Sequence, residues 1–185
     1  MIFTFIFAKK IMKKTFIIIS MLLSLQGYSQ TLQENKTDDN TKATVKRTSW
    51  EKMVYQLSSV RFTCYFRFSK IDSSYYMDIK LMNGGNEFSI EKGSKLMLRL
   101  SNDSLYTLVN LTRVTSSTGA GAVGSAGSQG MGIQTSYISL SDKTFKMLEK
   151  FRVKKIRIYN SDGYLESDVL DKFSSLVMAS IKLVR

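Results

Sequence analysis

Among its 185 residues the chain has no histidine, no proline and a single cysteine. Each absence excludes some chemistry. Histidine is the commonest general base near neutral pH and the commonest metal ligand. Without it, neither a Ser-His-Asp nor a Cys-His arrangement can be assembled. One cysteine cannot complete a His/Cys zinc set. Nor can it close an intramolecular disulfide, so stability has to come from the core alone. That cysteine, Cys64, stands in the apolar run Val60–Phe68 and reads as a small buried hydrophobe. Long apolar runs are also scarce. Hydrophobic residues make up 43% of the chain, an ordinary share for a globular protein and too low for a multi-span membrane protein.

The most apolar run, Phe16–Leu25, follows Lys9, Lys10, Lys13 and Lys14. It is about half the ~20 residues that a membrane-crossing helix needs. Gly27 and Ser29 occupy the small-residue positions of a cleavage site before Gln30. Residues 1–29 therefore read as an export signal, with Met12 as an alternative start and an uncleaved signal anchor as the minor alternative. No cysteine follows the apolar run, so a lipid anchor is not expected. The expected location is the periplasm, the outer surface or the medium. Formal charge is +12; removing the four leader lysines leaves 23 basic and 15 acidic residues, or +8. In an exported chain this charge points to anionic envelope surfaces, polysaccharide or another exported protein as partners, and not to nucleic acid. A merely solubilising surface is the plainer alternative.

Residues 30–48 hold only two aliphatic side chains larger than alanine, Leu32 and Val45, and read as a disordered tether. Residues 49–185 then form a single domain. Trp50, Met53, Val54 and Leu57 share one helical face after Ser49. Alternating strands follow: Val60–Phe68, Tyr75–Met82, Glu87–Glu91, Lys95–Ser101, Ser104–Thr115, Ile133–Leu140 and Val153–Tyr159. In Ser104–Thr115 the alternation blurs, as in a strand covered on both faces. A short helix runs from Ser141 to Lys150. The last helix, Glu166–Val184, carries an apolar stripe of Val169, Phe173, Leu176, Val177, Ile181 and Val184, widened by Leu170 and Met178. The predicted class is α+β: a mainly antiparallel sheet of six or seven strands packed by the terminal amphipathic helix.

Two basic features stand out as candidate sites. One is the cluster Lys143, Lys146, Lys150, Arg152, Lys154, Lys155 and Arg157, opposed by Glu149 alone and suited to anions if contiguous. The other is the outward face of the first strands, where Arg61, Tyr65, Arg67 and Tyr76 suit contact with glycan or peptide. An ordinary solvated face is the alternative in both cases. Gly119, Gly121 and Gly124 match a dinucleotide fingerprint in spacing, but no helix can follow them and the neighbouring strands read as antiparallel, so the segment reads as a surface loop. Asn160–Gly163 with Glu166 resembles half of a calcium loop and reads as an Asp-Gly turn. No metal, cofactor or catalytic residue is assigned.

Several segments together carry a resemblance: the Lys-Lys-led leader ending Tyr28-Ser29-Gln30, then residues 65–72, 75–80 and 92–100, and Lys155-Ile156-Arg157-Ile158. With them the chain resembles small secreted proteins of unknown function common in Bacteroidetes-type bacteria. The resemblance covers nearly all of residues 49–185 and implies no activity. It does imply a modification: Asp103-Ser104-Leu105 is similar to an O-glycosylation signal of such bacteria, with Ser104 as acceptor. The leading expectation is an exported, non-enzymatic domain with a binding or envelope-associated role. The alternative is an anion- or glycan-binding surface module using the basic cluster, and the third is an enzyme.

Overall fold

The computed structural model describes residues 30–39, 42–55, 62–84, 87–123, 130–139 and 142–185, with only the backbone of Ser139 and of residues 142–144. The leader, the alternative start at Met12, and Val60 and Arg61 lie outside the described residues. Among the described residues thirteen strands and two helices follow in order: β1 Leu32–Thr37, β2 Thr44–Thr48, β3 Glu51–Val54, β4 Phe62–Ile71, β5 Ser74–Asn83, β6 Ser89–Ile90, β7 Lys95–Leu100, β8 Leu105–Asn110, β9 Val114–Thr115, β10 Ser117–Thr118, β11 Met131–Ser139, α1 Asp142–Lys150, β12 Val153–Asn160, β13 Gly163–Asp168 and α2 Asp171–Val184. The class is α+β, and among the described residues every strand pair is antiparallel. Eleven strands form one sheet in the order β1-β2-β4-β5-β11-β8-β7-β12-β13, with β3 beside β4 and β10 beside β11; β6 and β9 form a separate pair. That is more than the six or seven strands expected.

Besides β10, from the segment read as a loop, the extra strands come from three places. The first is the expected tether. Residues 32–48 instead form the polar hairpin β1–β2, and β2 pairs with the end of β4 at Val45–Ile71 and Arg47–Ser69. Main-chain ladders hold it, aided by Glu34 between Lys36 and Arg47 and by reciprocal bonds of 2.9 Å between Thr44 and Asp72. The second is the expected helix after Ser49, which is β3. A bulge between Lys52 and Val54 turns the adjacent Met53 and Val54 both inward. Two inward neighbours imitate a helical stripe. The third is the start of the expected long terminal helix: Glu166–Asp168 belong to β13, and the helix begins only at Asp171. Leu170, ahead of that helix, is 50% exposed and not part of its buried stripe.

The inward sets of β4, β5 and β7 match the alternation: Phe62, Cys64, Phe66, Phe68, Met77, Ile79, Leu81, Leu96, Leu98 and Leu100 are all buried. β8 resolves its ambiguity in favour of Leu108, while Leu105 is 57% exposed. Its buried Asn110 accepts from Thr135 Oγ1 at 2.6 Å and donates to the Ile90 and Glu91 carbonyls, tying β8 to β11 and to the loop after β6.

Helix α2 buries Ser174, Val177, Ser180, Ile181 and Val184. It touches β2, β3 and β4 on one side and β12 on the other. β4 and β12 lie five places apart in the sheet. Strands stand about 4.8 Å apart, so a flat sheet would separate them by about 24 Å, yet Met53, Val54 and Tyr55, beside β4, line one hollow with Lys155 of β12. The sheet therefore curls around α2 and brings its two ends towards each other. A groove lies at that seam.

Candidate functional site

The outward face of β4 and β5 is built from three cross-strand pairs, Tyr65–Lys80, Arg67–Asp78 and Ser69–Tyr76. Asp78 is the fixed point. Only 6% exposed, it accepts from Arg67 Nε at 2.8 Å, Ser69 Oγ at 2.7 Å and Ser136 Oγ at 2.6 Å. Those bonds hold the Arg67 guanidinium over Trp50, 4.6 Å from the ring centre, and Lys80 lies 4.8 Å from the centre of the same ring. Lys80 also donates to the Ala122 carbonyl at 3.2 Å. Burial, with the like charge of Arg67, pulls its titration below the usual lysine range. Burial, with Tyr55 nearby, pushes the Tyr65 hydroxyl upward.

The chain enters this arrangement through a break in the sheet. β2 and β3 both run along β4, one after the other. Between them the Phe68 amide donates to Thr48 Oγ1 at 3.0 Å in place of a ladder bond. The interruption leaves Trp50 free to fold over Arg67.

Beside Trp50 a hollow of about 670 Å³ opens, lined by Trp50, Tyr55, Tyr65 and Phe173 with Lys52 and Lys172. Leu170, Leu176 and Val123 complete the apolar part, and Glu51 accepts from Ser49 Oγ at 2.9 Å. A second hollow of about 350 Å³ continues it past Tyr55, Leu170 and Phe173 to Glu166, Ser167 and Asp168. Lys52 stacks on Tyr55 and Lys172 on Phe173. Among the described residues neither lysine meets a carboxylate. In the second hollow the charges cancel, because Lys155 and Arg157 both grip Glu166. Four aromatic rings, two lysines outside any ion pair and the Glu51 carboxylate thus line the larger part of one groove.

The basic cluster divides along these lines. Arg152 faces Asp171, Lys154 faces Asp103, and Lys155 and Arg157 face Glu166. Lys146 and Lys150 are exposed on α1, with Lys150 over Phe151. The Lys143 side chain and Arg61 lie outside the described part. Four of the seven cations are therefore already opposed by carboxylates, because acidic residues distant in sequence come to them. Of the sheet-face residues, Tyr65 and Arg67 join the Trp50 arrangement, and half-buried Tyr76 sits one step along the same face.

The remaining motifs take structural places. Ser104 lies in the β7–β8 turn, where Asp103 has φ +61° and the Ser104 amide meets Asn102 Oδ1 at 3.2 Å. Gly121 lies over β5 so closely that a Cβ would stand 2.4 Å from the Leu81 carbonyl oxygen. The start of the glycine-rich segment is thus held against the sheet beside Lys80. Asn160–Gly163 is the β12–β13 turn. Cys64 is fully buried, and burial pushes its thiol up to about 12. Among the described residues no three of Asp, Glu and Cys gather as a metal set, and no helix is long and apolar enough to cross a membrane.

The groove residues that the sequence did not single out are Trp50, Lys52, Tyr55, Lys172 and Phe173. The one available signal was compositional: a lone tryptophan flanked by Arg47, Lys52 and Tyr55. Compared with known protein families, curated proteins and solved structures, the chain matches none.

Proposed function

We propose that the chain is an exported, non-enzymatic binding domain that takes an anionic ligand with an apolar or ring-bearing body in the groove beside Trp50. The observation that carries this reading is the pairing of aromatic walls with two lysines that make no ion pair among the described residues and outnumber the one carboxylate beside them, Glu51. Rings supply broad contact at little conformational cost. Cations over low-dielectric walls supply orientation and steering. The exposed flanks Tyr55 and Leu170 extend the apolar surface outward, as interaction sites do. The basic cluster gives a weaker basis for anion binding, since four of its members already have acidic partners.

The test uses the single tryptophan. Titrating the protein with small anions of increasing apolar bulk, from aryl carboxylates to acidic oligosaccharides, should change Trp50 fluorescence saturably. The change should weaken at about 0.5 M salt, where screening is short-ranged. The reverse substitution Lys52→Glu combined with Lys172→Glu should abolish it. An unresponsive Trp50 across the panel, or a response indifferent to salt and to those substitutions, would overturn the reading.

A further inference from the structure

We infer that the groove is dipolar and takes a short apolar peptide with both termini free, its carboxylate towards Lys52 and Lys172 and its ammonium towards Asp168. This rests on the groove being the binding site. The two hollows share Tyr55, Leu170 and Phe173, so one ligand can lie across both. Their charged linings differ in sign. The first holds two lysines and one carboxylate, Lys52 and Lys172 against Glu51. The second holds two carboxylates and one lysine, Glu166 and Asp168 against Lys155. Equal numbers over the whole groove therefore conceal a separation, with an excess of cations at one end, an excess of anions at the other and apolar side chains between. An occupant of a single sign gains at one end and loses at the other. A molecule with opposite charges at its two ends gains at both.

Existing contacts decide which groups are left to act. At the first end Glu51 accepts from Ser49 Oγ, and each lysine stacks on a ring. Asp171, next to Lys172 in the chain, faces Arg152 instead. At the second end both oxygens of Glu166 are engaged, Oε1 by Lys155 and Oε2 by Arg157. Asp168 differs. Its side chain is 84% exposed, and among the described residues its one ion pair is a 3.7 Å contact with the same Lys155, which lies closer to Glu166, at 3.0 Å. Asp168 thus keeps acceptor capacity for an ammonium. The chain itself bounds the ligand's length. Asp168 and Lys172 are four positions apart, so their Cα atoms lie within about 14 Å. An extended peptide advances about 3.4 Å per residue, so about two to four residues bridge them. Tyr55 and Leu170, each 50% exposed, are the apolar surface that its side chains would cover.

The experiment titrates Trp50 fluorescence with trileucine, N-acetyl-trileucine and trileucine amide, on the wild type and on Asp168→Asn. The free peptide should bind saturably to the wild type, and each blocked form should bind about threefold more weakly, the scale of one solvent-exposed charge pair. Asp168→Asn should weaken the free peptide by a similar factor and leave the acetylated peptide unchanged, since that ligand has no ammonium to lose. Equal binding of free and acetylated peptide by the wild type, or equal loss of both in Asp168→Asn, would overturn the ammonium end and leave the anion-binding groove standing. A Trp50 response to small anions with none to any of the peptides would overturn the peptide as occupant. Silence of Trp50 towards peptides and small anions alike would overturn the groove itself.

Discussion

Asp78 is the residue on which the outward face depends, because three donors converge on one nearly buried carboxylate. Asp78→Asn keeps the shape but replaces an acceptor-only group and leaves Arg67 without its carboxylate. Removing one partner of a largely buried ion pair costs about 3 kcal/mol, somewhat less here because Arg67 is partly exposed. Urea denaturation should register a loss of roughly 2–3 kcal/mol. A change under about 0.5 kcal/mol would mean that Asp78 is not the anchor. Tyr65 and Arg67 were legible as outward residues because alternation alone places them. Trp50 was not legible, because the β3 bulge turns Met53 and Val54 inward together and so copies the spacing of a helix. Phe173 was hidden in another way, within a stripe assigned wholly to the core.

At the scale of elements, the polar hairpin β1–β2 and the strand β13 went unread for one reason. Both are held by ladder bonds and cross-strand charges, and neither carries an apolar set for periodicity to detect. Deleting residues 30–48 should therefore lower stability by about 3 kcal/mol or more, roughly 10 °C in Tm by differential scanning calorimetry. An unchanged Tm would restore the disordered tether. β13 makes a pH prediction. Bonds from Lys155 and then Arg157 hold the Glu166 carboxyl below its ordinary value of 4.5. A lowered carboxylate pKa contributes stability that is complete above 4.5 and is lost as pH falls through the lower folded value. Denaturation midpoints measured between neutral and acid pH should thus fall more steeply for the wild type than for Glu166→Gln. The difference should be small, because the pair is partly exposed to solvent. Parallel acid limbs would contradict it. Helix α2 was legible at its centre, and Val177 is fully buried there. Val177→Asp places a carboxylate where no cation waits and should leave the protein unfolded by circular dichroism. Val177→Ala should lose only about 1–3 kcal/mol and stay folded. A soluble, folded Val177→Asp would make α2 a docking element and not part of the core.

For the whole molecule, the decisive property is curvature, which no local pattern encodes. Alternation gave the inward faces of most strands. It could not give their order, with β11 between β5 and β8 and β7 beside β12, nor the closure that brings β3 towards β13. The basic cluster shows the same limit. Its seven cations are neighbours in sequence, yet the acids that oppose four of them arrive from Asp103, Glu166 and Asp171. Lys52 and Lys172 lie 120 positions apart and share one groove.

The central claim is that this groove, with Lys52 and Lys172 outside any ion pair beside Trp50, is where the protein binds. A fluorescence titration of Trp50 with an acidic ligand, run on the wild type and on Lys52→Glu combined with Lys172→Glu at two salt concentrations, tests it most directly. The account predicts saturable binding by the wild type, weakened at high salt and lost in the double variant, with the variant's far-ultraviolet circular dichroism unchanged. Equal binding by wild type and folded variant would contradict it.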